Sequence, residues 1–123
     1  MATAEEVFQA LNEKAGFEPD NENWTEGTFT WKNIAPGKVW IYFQTGTGEE
    51  CATPNFGFCR EDGLKDREFE DIKIELHNIV NGDPDDDGAF VFVYVRNLED
   101  RTVNWALKTM QELERRILFD LTT

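Results

Sequence analysis

The sequence predicts an α+β fold: a small antiparallel sheet of about four strands packed with two to three helices, in the order α-βββ-α-β-α. Three observations carry that expectation. Apolar residues recur at helical spacing near both ends of the chain, a Pro-Gly turn joins two segments rich in aromatic and β-branched residues, and AFVFVYV (89–95) alternates between two apolar faces. At 123 residues the chain fits a single domain, 1–123, large enough to build a core without staples. Ten Phe, four Trp and two Tyr supply that core, which a disordered chain would lack.

The elements follow in chain order. Thr3 and Glu6 form a T-x-x-E capping box, in which side chain and backbone satisfy each other's orphan donors at a helix start. Val7, Phe8, Leu11 and Ala15 then recur on one stripe and Gly16 suits the C′ position, so a helix is expected over roughly 4–15. FEPDNENWTEG (17–27) is polar and turn-rich and reads as a loop. TFTWKNI and KVWIYFQT flank Ala35-Pro36-Gly37; proline fixes φ and glycine accepts a positive φ, which suits the centre of a type II turn, so a hairpin is expected. TGTGEECATP reads as a second loop and NFGFCR as a third strand.

LKDREFEDIKIELHNIVNG supports two periodicities. Ile72, Ile74 and Leu76 alternate as in a strand, whereas Phe69, Ile72, Leu76, Ile79 and Val80 share one side of a helical wheel and the segment ends on Asn81-Gly82. The preferred reading is a helix over about 66–80. In AFVFVYV, Phe90, Phe92 and Tyr94 point one way and Val91, Val93 and Val95 the other; with both faces apolar, the strand is expected to lie centrally with both sides covered. NLEDRTVNWALKTMQELERRIL carries the last helix, with Val103, Ala106, Leu107, Met110, Leu113 and Ile117 on one stripe and Asn97 or Asp100 as its cap.

The largest departure from an average composition is a formal net charge of −13. Such a charge repels nucleic-acid phosphates and anionic lipid surfaces and attracts basic partners over a range set by salt. Direct nucleic-acid and membrane binding are therefore not expected, and no apolar run approaches the length of a transmembrane helix. The acidic, amphipathic N-terminus lacks a signal-peptide layout, and two cysteines do not make a disulfide framework, so a cytoplasmic setting is expected. The excess is uneven along the chain. Residues 1–27 hold seven acids and one base, residues 61–100 thirteen acids and four bases, and the remaining segments are each +1. The two acidic segments make an acidic face if the fold brings them to one side.

Few motifs carry chemistry. DPDDDG places Asp83, Asp85, Asp87 and Gly88 at the opening positions of a calcium loop, but the closing bidentate Glu is replaced by Tyr94, so calcium is the minority reading and a turn on an acidic surface the preferred one. Cys51 and Cys59 lack the spacing of redox or zinc pairs, and His77 is the single histidine, so buried thiols and a surface histidine are expected. Thr45-Gly46-Thr47-Gly48 is followed by Glu49-Glu50 where a phosphate-binding loop wants Lys, and reads as a turn. The chain has no serine, and one histidine cannot build the usual triads. No enzyme and no cofactor are implied. In a sheet covered on one side only, Phe90, Phe92 and Tyr94, or else the valines, would face solvent, joined by residues such as Trp31, Trp40, Tyr42, Phe56 and Phe58; such a patch marks a partner or dimer surface.

In size, acidity and order of elements the chain resembles the small acidic chaperones of type III secretion, although this order has one strand fewer before the last helix. Its compact, acidic, site-poor profile also resembles phage anti-restriction and anti-CRISPR proteins and the immunity proteins of nuclease toxins, in which carboxylates stand in for phosphates on a basic surface. The function expected is a non-enzymatic acidic interaction protein that blocks or escorts a basic partner protein, such as a nucleic-acid-binding effector or nuclease. The residues expected to meet it are Glu18, Asp20, Glu22 and Glu26 in the first acidic segment and Asp83, Asp85, Asp86 and Asp87 in the second. The alternatives are a dimeric secretion chaperone, pairing through an aromatic sheet face, and a small-ligand or weak calcium-binding module.

Overall fold

The computed structural model describes residues 1–45 and 53–122; the Gly46–Gly48 part of the expected turn and Cys51 lie outside them. Helix α1 (Ala4–Lys14) opens on the predicted capping box, with the Glu6 amide donating to Thr3 Oγ1 at 3.1 Å and the Thr3 amide to Glu6 Oε1 at 3.0 Å. Gly16, at φ 77°, then turns the chain. Strands β1 (Glu18–Asn23), β2 (Gly27–Ala35), β3 (Val39–Thr45) and β4 (Asn55–Arg60) follow, then α2 (Asp66–Val80), β5 (Asp85–Asp87), β6 (Phe90–Tyr94), a short 3-10 turn (Leu98–Asp100) and α3 (Val103–Thr122). The expected helix over 66–80 is present, closed by Asn81 in the left-handed region at φ 62°. The β2–β3 hairpin turns at Pro36-Gly37, where the Lys38 amide donates to the Ala35 carbonyl at 2.9 Å and Gly37 takes φ 77°.

The sheet has six antiparallel strands in the order β1-β2-β3-β4-β6-β5. Two of them were not expected. EPDNEN, read as loop, is the edge strand β1, and Asp85–Asp87, read as part of a turn, is the opposite edge strand β5, joined to β6 through Gly88 at φ 63°. Asp85–Asp87 also supplies the second strand before the last helix. The α3 cap differs as well: the Trp105 amide donates to Thr102 Oγ1 at 3.0 Å, so Thr102 caps the helix rather than Asn97 or Asp100.

Alternation along the strands divides the sheet into two faces. Ile41 and Phe43 of β3, Phe56 and Phe58 of β4, and Val91 and Val93 of β6 point into one buried cluster. That cluster also takes Val7, Phe8 and Leu11 from α1, Ile72 and Leu76 from α2, and Met110, Leu113 and Ile117 from α3. All three helices thus pack on one side of the sheet. Lys32 laces this side together: its ammonium donates to the Ala15 carbonyl at 2.9 Å and to Glu114 Oε1 of α3 at 3.0 Å, 82 positions along the chain. Strand β6 is therefore not covered on both sides as expected. It lies between β4 and the edge strand β5, with its valines under the helices and its aromatic side chains on the other face.

A candidate aromatic and acidic interaction face

The face turned away from the helices is built from the alternate residues of the same strands. Phe29 and Trp31 of β2, Trp40 and Tyr42 of β3, and Phe90, Phe92 and Tyr94 of β6 lie there, and none belongs to the helix-side core. All are half-buried except Tyr42, which is buried. Phe56 and Phe58, which the sequence allowed on either face, are fully buried on the helix side, and Phe29 joins the open face unexpectedly.

Strand β4 explains how this face is shaped. Its residues on the open side are Asn55, Gly57 and Cys59, all smaller than the rings on either flank. Tyr42 lies opposite Gly57 and Trp40 opposite Cys59, so rings from β3 lean across β4 and meet those of β6. The Trp40 and Tyr42 centroids each stand 5.7 Å from that of Phe90, edge-on. Phe29 stacks on Tyr42 at 5.1 Å, and Trp31 meets Trp40 at 5.6 Å. Gly57 makes the overlap feasible, because a Cβ there would stand 2.7 Å from the Tyr42 hydroxyl and would also collide with the Val91 carbonyl. Burial first, then the charges around Cys59, Asp87 and Tyr94, pushes the Tyr42 hydroxyl above its ordinary pKa, so it stays a neutral donor at physiological pH. Burial, with Glu61 adding, likewise raises the Cys59 thiol; it packs as a small apolar group.

Two basins bound the aromatic strip, the first with two carboxylates and the second with one. The first, about 380 Å³, is lined by Phe29, Trp31 and Trp40 together with Asp20 and Glu61. The second, about 290 Å³, lies at the Asn55 end of β4, between Tyr42, Phe90, Phe92 and Tyr94, with Asp87 at its side. Asn55 is only 3% exposed, yet its side-chain oxygen accepts no hydrogen bond among the described residues. A buried acceptor left unpaired costs about 1–3 kcal/mol, so this amide is an anomaly in an otherwise well-satisfied sheet.

The structure separates the acidic residues singled out from the sequence. The two acidic segments contain the opposite edge strands, roughly 24 Å apart at about 4.8 Å per interstrand step. They do not merge into one patch; they frame the open face. Glu18 sits opposite Trp31 and Asp20 lines the first basin, while Asp85 sits opposite Phe92 and Asp87 opposite Phe90. None of these four forms an ion pair among the described residues. The other four do different work. Glu22 accepts from the Trp24 indole, which packs on Phe8 of the core; Glu26 accepts from Asn23 within the β1–β2 turn. Asp86 turns to α2 and pairs with Lys73 at 2.9 Å, and Asp83 stands 3.8 Å from exposed His77, whose Nδ1–H donates to the Gly82 carbonyl at 2.7 Å. An extended strand sends Asp85 and Asp87 to one side and Asp86 to the other, which is not the wrapped geometry of a calcium loop. Among the described residues no group of three or more His, Cys, Asp or Glu side chains is placed to hold a metal ion, and no helix is long and apolar enough to cross a membrane.

Asn55, Glu61 and Phe29 are the members of this face that sequence reasoning missed. Asn55 opens the expected strand NFGFCR, but only the register of β4 reveals its place beside the rings. Comparison with models of protein families, with curated proteins and with solved structures finds no match to this chain.

Proposed function

We propose that this chain is a non-enzymatic interaction protein that holds a basic partner protein against its open sheet face, and so blocks or escorts that partner in the cytoplasm. One observation carries the reading: helices seal one side of the sheet, while the other presents an aromatic strip between two edges whose Glu18, Asp20, Asp85 and Asp87 form no ion pair among the described residues. A contiguous strip of half-buried rings is the kind of surface at which partners dock. The sign of its border selects the occupant. A second copy of this chain would bring like-charged rims together, whereas a basic surface, such as that of a nuclease or another nucleic-acid-binding effector, complements them. Long-range attraction to Glu18, Asp20, Asp85 and Asp87 speeds encounter, and desolvation of the rings sets the lifetime of the complex.

The test is kinetic. A partner captured from the native host at low salt and then purified should associate about tenfold more slowly when ionic strength is raised across the physiological range. Replacing the four carboxylates by their amides should lower the association rate and flatten that dependence, and Phe92→Ala should raise the dissociation rate. A captured partner that is itself acidic, or an association rate indifferent to salt, would overturn the reading.

A second reading has its own support. The order of elements resembles that of type III secretion chaperones more closely at its end, where Asp85–Asp87 fills the strand lacking before the last helix, although β1 adds a strand before α2 that their order does not have. A chaperone of that kind would be a stable homodimer at micromolar concentration and would bind an extended peptide through apolar contacts. Sedimentation of the purified protein separates the two: a monomer retires the chaperone reading, and a dimer whose peptide binding ignores the four amide substitutions favours it.

A further inference from the structure

The basin at the Asn55 end of the open face is more specific than its surroundings. It combines three features that ask for different things. Asp87 supplies a negative charge on its rim, and Phe90, Phe92 and Tyr94 supply ring surface. Asn55 supplies a buried amide oxygen with no donor among the described residues. A carboxylate and aromatic faces together suit any cation. The amide oxygen narrows the choice among cations, because it is satisfied by one that brings an N–H into the basin and not by one without a donor. A quaternary or trimethylated ammonium has no such donor. A lysine ammonium has donors but is compact and strongly hydrated, and it cannot lie flat on a ring. A guanidinium is planar, stacks on aromatic faces and carries five donors in a fixed fork, enough to reach a carboxylate and an amide at once. The chain already uses this contact: the Arg96 guanidinium stands 5.2 Å from the Tyr94 ring centre. Arg96 itself borders the adjoining cavity beside Trp105 rather than this basin.

We infer that this basin receives an arginine side chain of the partner, with its guanidinium stacked among the β6 rings, paired with Asp87 and donating to the Asn55 side-chain oxygen. The inference rests on the reading of the open face as a surface for basic proteins and makes that reading residue-specific. The edge carboxylates act at long range on any positive surface; the Asn55 basin discriminates one cation from another.

The experiment titrates the isotope-labelled protein with acetylated, amidated Gly-Arg-Gly, Gly-Lys-Gly and Gly-trimethyllysine-Gly peptides, followed by NMR. The arginine peptide should bind about fivefold tighter than the lysine peptide, shift the Asn55 side-chain amide and the Phe92 and Tyr94 ring signals, and leave the first basin unchanged. Asp87→Asn, an exposed edge substitution, should remove most of that preference with the fold intact. Asn55→Ala should reduce the arginine preference while general affinity for the lysine peptide persists; if this variant does not fold, the peptide series and Asp87→Asn decide the matter. Equal affinity for the arginine and lysine peptides, tighter binding of the trimethyllysine peptide, or shifts confined to other parts of the surface would overturn the inference. A salt-dependent complex between the protein and poly-lysine tells the two readings apart. If it persists while the peptides show no arginine preference, only the arginine site falls; if no basic polymer binds at all, both fall.

Discussion

The two faces of the sheet are made of the same kinds of residue and meet different fates. On the helix side, Phe43, Phe56, Phe58, Val91 and Val93 have almost no exposed surface; on the other, Trp40, Phe90, Phe92 and Tyr94 remain half-buried. Strand β6 holds the contrast within FVFVY, where successive residues alternate between sealed and open sides. Hydropathy does not separate them, because Phe92 is no less apolar than Val93. What separates them is connectivity. Each helix follows or precedes a strand in a way that returns it to the same side, and no described element is left for the other. One face therefore holds the fold together, and the other is free to meet something else at modest cost to stability.

The sharpest way to break this comparison is to truncate one ring on each face. Phe58→Ala removes a fully buried side chain and should cost about 3–5 kcal/mol. Phe92→Ala, from the half-buried face, should cost about 1 kcal/mol. Urea unfolding midpoints for the two variants measure the difference, and equal losses would mean that both faces are sealed.

Gly57→Ala probes the line where the faces interact. The new methyl group would collide with the Val91 carbonyl and with the Tyr42 ring lying above it, so the strand pair or the ring must move. The expected loss is about 1–3 kcal/mol. The near-ultraviolet circular dichroism should change too, because the coupled rings of Tyr42, Trp40 and Phe90 shift together.

The smallest effect belongs to the helix side and is read through pH. Burial, with Asp120 adding, raises the Glu75 carboxyl above its ordinary pKa against the opposing pull of Arg116; burial, with Asp71 adding, raises Asp120 in the same way. An acid whose pKa is higher folded than unfolded opposes folding when ionised, so stability should rise as pH falls from neutral toward the folded pKa values. Glu112 acts in the opposite sense: a hydrogen bond from Arg115 lowers its pKa, so its contribution is lost only below the usual carboxylate range. Glu75→Gln should therefore gain on the order of 0.5 kcal/mol near pH 7 and flatten the rise in melting temperature between about pH 7 and about pH 5. A variant that melts lower at both pH values would show instead that the 3.8 Å contact between Glu75 and Arg116 outweighs the burial.

Much of this architecture is legible in the sequence because its signals are local. The Thr3–Glu6 box, Pro36-Gly37 and the stripe from Ala106 to Ile117 each state their conformation within a few residues. EPDNEN and DDD do not. An edge strand pairs on one side only, and these two are exposed on both faces, so neither displays the apolar alternation that marks a strand. Their carboxylates belong to an edge that must not recruit further strands, and such residues look like loop in one dimension. The site divides in the same way. Asp20, Asp85 and Asp87 stand out from the sequence as charge, but their separation onto opposite edges is a property of strand order. That Glu22 and Asp86 serve the fold instead depends on which way a pleated residue points.

The link from Lys32 to Glu114 bears on how the molecule is made. The ammonium meets the Ala15 carbonyl locally, but its charged partner Glu114 arrives only with α3. Contacts of this span close a long loop, so the N-terminal hairpin and α1 depend on a distant helix for much of their shelter. A version of the chain without α3 would leave Phe43, Phe56 and Phe58 short of the helix that shares their core, and its sheet would be exposed to proteases.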